Sequence, residues 1–155
     1  MNTTSAEITT RTHMQRVSAL LREAAIELIK RAARHDLSKL TPQELGPLQA
    51  LQDHTAVHGV APYGTPEYET NRQLLAPMLA HHYANNSHHP EHYGNGVAGM
   101  DLFDLIEMFL DWKAASERGG ESAMNLSHSV KAYDIPPMLG SILRNTAARM
   151  GYNVK

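Results

Sequence analysis

The chain has 155 residues, 42% of them apolar and 19% charged, and its net charge is -2. That balance suits a folded globule of about one domain, excludes wholesale disorder, and removes the electrostatic case for general nucleic-acid or anionic-membrane binding. Without a cysteine there is no disulfide frame or thiolate site. Without an apolar run near the ~20 residues of a membrane span, and with a polar stretch from Met1 to Thr12, the expectation is a soluble, cytoplasmic domain.

The first long segment, roughly Ala6 to Arg34, contains neither proline nor glycine, and Met14, Val17, Leu21, Ala24 and Leu28 recur at helical spacing, so one stripe is expected to face a core. Thr41-Pro42-Gln43-Glu44 has the form of a capping box with proline at the first helical position, predicting a helix to about Asp53. His54 to Gly64 reads as a loop with turn residues around Pro62 and Gly64. A second Thr-Pro start at Thr65 predicts a helix to about Asn85, kinked where Pro77 removes a backbone donor. Ser87 to Gly99 reads as an ordered loop.

Asp101 is placed to cap a strongly apolar helix from Leu102 to about Arg118, stopped by Gly119-Gly120. After a polar connection, Asp134-Ile135-Pro136 opens a last helix that Gly151 ends. The expected fold is all-α, a bundle of about five main helices.

Ten histidines, five of them between His81 and His92, carry the chemical signal. His35-Asp36 offers an imidazole nitrogen and a hard carboxylate oxygen to one divalent cation. Lys39, three residues on, could hold a phosphate oxygen. On the apolar helix, Asp104, Glu107 and Asp111 share one narrow stripe. Carboxylates there are costly unless paired or metal-bound, and Asp111 is the chosen ligand with the other two in support. His82, His88, His89 and Glu91 cluster at a helix end and in the following loop. Such a group suits a second metal, phosphate contacts or proton transfer, with Glu91 as the carboxylate to orient water or donate a proton.

The order His13, His35-Asp36-Leu37-Ser38-Lys39, then His82 and His88-His89, then Asp111 resembles the HD-domain metal-dependent phosphohydrolases. The stretches His35–Lys39, Asn86–Glu91 and Glu107–Ala114 are closer still to a small bacterial and phage family with HD-x-SK, N-x-HHPE and EM-x-x-DWKA motifs, whose reaction is unassigned. The resemblance covers about residues 10 to 150. It implies one hydrolase domain over residues 1–155, with His13, His35, Asp36 and Asp111 as metal ligands. It makes His82, His88 and His89 second-metal or phosphate ligands, and Lys39 a phosphate contact.

His13 and His35 lie 22 residues apart, shorter than is usual in HD enzymes. On one straight helix they would be roughly 33 Å apart along the axis. Then either the helix breaks between Arg22 and Leu28, or His82 or His88 replaces His13, or two subunits share the ion.

The resulting expectation is hydrolysis of a phosphate ester or anhydride, most plausibly of a (deoxy)nucleotide. One or two divalent ions (Mn, Co, Mg, Zn or Fe) would activate water, and Lys39 and loop imidazoles would offset charge on the phosphoryl oxygens. Tyr63, Tyr83, Tyr93 or Trp112 could stack on a base. The expected partner is a small phosphorylated substrate, with neither membrane nor nucleic acid, and the apolar content is compatible with a homo-oligomer. The alternatives are an inactive HD-like metal-binding or interaction module, and an HD-like di-iron oxygenase.

Overall fold

Nothing in the sequence interrupts a helix before Arg34, and a single helix α1 (Ser5–Arg34) forms there, with Thr4 Oγ1 accepting from the Glu7 amide at 3.2 Å. The structure, a computed structural model, describes residues 4–61, 65–118 and 123–155. The chain divides into two compact units, Met1–His35 and Asp36–Lys155.

The first unit is α1 alone. No residue of α1 is buried. Of the stripe expected to face a core, Met14, Val17 and Leu21 are exposed, whereas Ala24 and Leu28 are half-buried. The helix also runs unbroken through Arg22 to Leu28, a stretch of good helix formers. His13 therefore stands roughly 33 Å along the axis from His35. It is exposed and cannot share an ion with His35 within one chain, which corrects its assignment to the ligand set.

The second unit opens on a left-handed residue, Asp36, with φ +57°, a conformation that Asp tolerates better than most side chains. A 3₁₀ turn (Leu37–Leu40) leads to α2 (Pro42–His58). This helix overruns the expected end at Asp53 because no breaker stands between Asp53 and Gly59, whose φ of +82° terminates it. The expected loop from His54 is thus helical for its first turn, while the turn around Pro62 and Gly64, with Tyr63, lies outside the described residues.

The single kinked helix expected from Thr65 is two helices, α3 (Pro66–Leu74) and α4 (Ala76–Asn85). Pro77 cannot donate one turn back, so the ladder stops at Leu75, whose amide bonds Asn71, and resumes with Leu79 donating to Leu75.

Two 3₁₀ turns (Pro90–His92 and Gly96–Gly99) order the following loop. Asp101 Oδ1 then accepts the amides of Phe103 and Asp104 at 2.8 and 2.9 Å, starting α5 (Leu102–Arg118). Its expected stop at Gly119-Gly120 lies outside the described residues.

The polar connection holds a further helix, α6 (Leu126–Ala132), capped by Asn125, and α7 (Pro137–Arg149) ends before Gly151 at φ +71°. A two-residue parallel pair, β1 (Ala123–Met124) with β2 (Asn153–Val154), ties the end of the chain to the segment before α6. The fold is all-α, with seven α-helices among the described residues rather than five. None of them is long and apolar enough to cross a membrane.

The core of this unit is Met108, Phe109, Met124, Leu126, Ile135, Leu143 and Ala147. Trp112 stacks on Tyr133 at 5.4 Å beside it, so its ring is a packing element. The apolar helix α5 is not buried all round: Leu102, Ile106 and Leu110 are exposed. Its Met108 and Phe109 face the core, while Asp104 and Glu107 turn toward the histidine loop.

Candidate metal centre

Asp36, His82, His88 and His89 come together inside the second unit. Each offers one ligand atom within 4.8 Å of all the others. Asp36 Oδ1 lies 3.4 Å from His82 Nε2 and 3.5 Å from His88 Nε2, and the Nε2 atoms of His82 and His89 are 2.9 Å apart. Ligands bonded at about 2.1 Å to one ion sit roughly 2.9 to 3.4 Å from each other at octahedral to tetrahedral angles. The spacing and the donor set, one hard oxygen and three imidazole nitrogens, could hold a metal ion.

Each contributor is placed by a local device. The 3₁₀ turn after Asp36 brings Lys39 back so that Nζ donates to Asp36 Oδ2 at 2.5 Å, leaving Oδ1 toward the histidines. His82 is in the last turn of α4, 3% exposed. His88 and His89 follow in the loop, which the α5 helix anchors through Asp104. That carboxylate is buried and accepts from Ser87 Oγ and Tyr93 Oη, each at 2.6 Å, and from the Asp101 amide at 3.1 Å. Burial, then the bond to Asp104, pushes the Tyr93 phenol above its ordinary value. Asp104 is therefore a loop anchor, and Tyr93 is engaged by it.

Behind two of the imidazoles stand carboxylates. Glu44, fully buried, reaches His82 Nδ1 with Oε2 at 2.8 Å and His81 Nδ1 with Oε1 at 2.7 Å. A carboxylate only accepts, so His82 Nδ1 carries the proton and Nε2 presents its lone pair to the cluster. Burial raises the Glu44 pKa, but hydrogen bonds from His81, Ser38 and His82 outweigh it and hold the group below the usual carboxylate value. Glu107 stands behind His88 in the same manner, Oε1 to Nδ1 at 3.3 Å. A carboxylate behind an imidazole fixes its tautomer and raises its basicity as a ligand. The His89 pKa is lowered to about 4 by burial first, then by the neighbouring His88 and His82, so this imidazole keeps a lone pair at neutral pH.

A family model described as Family of unknown function (DUF5662) matches residues 2–149. The chain belongs to that family. No curated protein and no solved structure matches it.

The other residues singled out in this DUF5662 chain fall as follows. Asp111 on α5 offers an oxygen within 4.8 Å of one from Asp36. His35 is the last residue of the first unit and adjoins Asp36 in the chain. Glu91 does not join the cluster. The 3₁₀ turn Pro90–His92 leaves it exposed, and it hydrogen-bonds the hydroxyl of Tyr83, whose pKa is raised by burial and then by that carboxylate. Its assignment as the carboxylate next to the reacting water is thereby corrected.

Glu44 is the residue that sequence reasoning missed. Thr41-Pro42-Gln43-Glu44 spells a capping box, yet Thr41 makes no side-chain cap and donates instead to the Ser38 carbonyl at 2.6 Å. Asn86 was likewise read only as part of a motif. It is buried and donates to Ser38 Oγ and to the His82 carbonyl, each at 2.7 Å, closing the wall behind His82.

Proposed function

We propose that this protein is a divalent-metal-dependent phosphohydrolase whose ion is held by Asp36, His82, His88 and His89, with Asp111 beside Asp36. The observation that carries the reading is the convergence of one carboxylate oxygen and three imidazole Nε2 atoms, two of those imidazoles backed at Nδ1 by Glu44 and Glu107. Such backing orders lone pairs toward a common point, which a fortuitous histidine cluster does not need. A divalent ion at that point supplies Lewis acidity and a water acidic enough to ionise near neutral pH.

The chain's own groups do the rest. Lys39 neutralises Asp36 and is 38% exposed, so its ammonium is placed to meet an arriving phosphate oxygen without leaving the site. His89, neutral at pH 7, serves as a ligand or accepts a proton without first having to lose one. The ordered loop from Ser87 to Gly99 keeps His88 and His89 in register with α4 through Asp104. The substrate is a small phosphate ester or anhydride; a nucleotide is the first to assay.

The test is metal analysis of the purified protein followed by phosphate release from a panel of phosphate esters and nucleotides with Mn²⁺, Co²⁺ or Mg²⁺. Wild type is expected to bind at least one ion per chain and to turn over a member of the panel. Asp36→Ala is expected to lose both while its helical circular dichroism persists. Stoichiometric metal without turnover would favour a structural site, and two irons with oxygen consumption would favour an oxygenase. Undiminished phosphate release by Asp36→Ala removes the assignment.

A further inference from the structure

Because α2 continues through His54 to His58, two histidines that a loop would scatter stand one turn apart on the same face of a helix. Both are exposed, and their ring centroids lie 4.5 Å apart with the planes tilted by 34°. An ion bonded at about 2.1 Å to one nitrogen of each of two imidazoles, at right angles, sets the ring centroids roughly 4.6 Å apart. His82 and His89 inside the cluster lie at a comparable 4.8 Å. The pair shares no residue with that cluster. His54 also borders a cleft of about 360 Å³, so its ring has protein on one side and less freedom to lose on binding. The pair occupies the last turn of α2, where the carbonyl end of the helix favours a cation.

We propose that His54 and His58 form a second metal site, a two-imidazole chelate for Cu²⁺ or Ni²⁺ whose other positions are filled by water. Imidazole nitrogens suit these ions, whereas Mn²⁺ and Mg²⁺ prefer oxygen, and affinity along the first row rises from Mn²⁺ through Ni²⁺ to Cu²⁺. Neighbouring positions at right angles belong to the tetragonal geometry of the same two ions. The second imidazole strengthens the first because the helix already holds it nearby, so its binding is intramolecular. A bound ion staples the last turn of α2, the turn that ends at Gly59 and releases the chain toward α3. The two sites differ in kind, since the cluster adds the hard oxygen of Asp36 to its imidazoles. The chelate stands independently of the hydrolase reading.

Isothermal titration calorimetry with Ni²⁺ compares wild type, His58→Ala and a rearranged variant, Ala56→His with His58→Ala. The rearranged variant keeps the number of histidines but sets them two residues apart, on different faces of the helix. Positions 56 and 58 are exposed and alanine is the best helix former, so all three proteins are expected to fold. Wild type is expected to take one Ni²⁺ more per chain than either variant, or to hold that ion at least tenfold more tightly. With Mn²⁺ the three are expected to bind equally. Substoichiometric Cu²⁺ is expected to broaden the amide resonances of Asp53 to Gly59 in wild type and not in the variants. Any phosphate release is expected to be the same in all three, so a failure of the hydrolase reading leaves this result untouched. Equal Ni²⁺ uptake by wild type and the rearranged variant overturns the chelate, as does Cu²⁺ broadening around His54 that survives His58→Ala. Either outcome leaves single histidines as adventitious ligands.

Discussion

Glu44 accepts from two imidazoles at once, and that double use sets what its replacement does. In Glu44→Gln one side-chain oxygen remains for two Nδ1–H donors, and the new amide opposes the second. His82 then loses its fixed tautomer and Nε2 no longer presents a lone pair at all times. Metal affinity is expected to fall 10–100-fold, the usual cost of losing a carboxylate behind a ligating histidine. Leaving one buried donor poorly paired adds about 1–3 kcal/mol of lost stability. Competition with a chelating dye and a urea melt read the two effects, and Glu107→Gln is expected to repeat the first at His88. The four cluster residues were legible in the sequence as residue types, but which imidazoles turn inward was not: of the pair 81–82 only His82 joins the cluster, whereas His88 and His89 both do. Only the fold distinguishes His82, 3% exposed, from His81, whose side chain is 34% exposed. His89 makes a second expectation at this scale. Its pKa is about 4 in the fold and an ordinary 6.5 in the unfolded chain. Between those values the unfolded chain binds a proton that the fold refuses, so stability of the metal-free protein falls as pH drops from 6.5 to about 4 and flattens below. The melting temperature of His89→Gln is expected to fall less across that window than that of wild type; equal slopes would remove the claim.

At the scale of elements, the loop between α4 and α5 depends on one carboxylate. Asp104 collects Ser87, Tyr93 and the Asp101 amide, and this joins the start of α5 to the residue just before His88. Asp104→Ala leaves a serine and a tyrosine hydroxyl without their acceptor in a largely buried place. A loss of roughly 2–4 kcal/mol is expected, whereas Tyr93→Phe, which removes one donor, costs about 1 kcal/mol. Gly99 closes the same loop: a Cβ there would stand 2.7 Å from the Tyr93 Cβ, so Gly99→Ala pushes Tyr93 away from Asp104. Denaturant melts rank the three variants. The helices around this loop were legible where a cap or breaker marks them, as Asp101 does at the start of α5 and Gly151 after α7. They were misjudged where the signal was weak. α2 runs through His54 to His58 because its end is set by Gly59 rather than by polarity. The seven residues of α6 are too few to display a period, and its burial of Leu126 in the core is a tertiary matter.

For the molecule as a whole, site and core occupy opposite faces of the same helix, and this makes their contributions separable. Met108 and Phe109 on α5 pack with Met124, Leu126, Ile135 and Leu143, whereas Glu107 and Asp111 on the same helix face His88 and Asp36. The sequence displayed α5 as apolar with an acidic stripe, but not which apolar positions are covered, since that depends on α6 and α7 arriving from later in the chain. An ion that binds only the folded second unit stabilises it by mass action, about 2.7 kcal/mol at a free concentration one hundred times its Kd. Phe109→Leu trims the core and costs roughly 1–1.5 kcal/mol, a repacking loss on the far side of the helix. The two effects should therefore add, because no ligand atom changes and contributions of groups without shared partners are close to additive. In differential scanning calorimetry, Phe109→Leu is expected to lower the metal-free melting temperature while the increment on adding Mn²⁺ stays that of wild type. Asp36→Ala is expected to keep a stable metal-free fold and to lose the increment. A reduced increment in Phe109→Leu would mean that the core sets the ligand geometry through α5, and the ligand atoms would then not be held by Glu44, Glu107 and Asp104 alone.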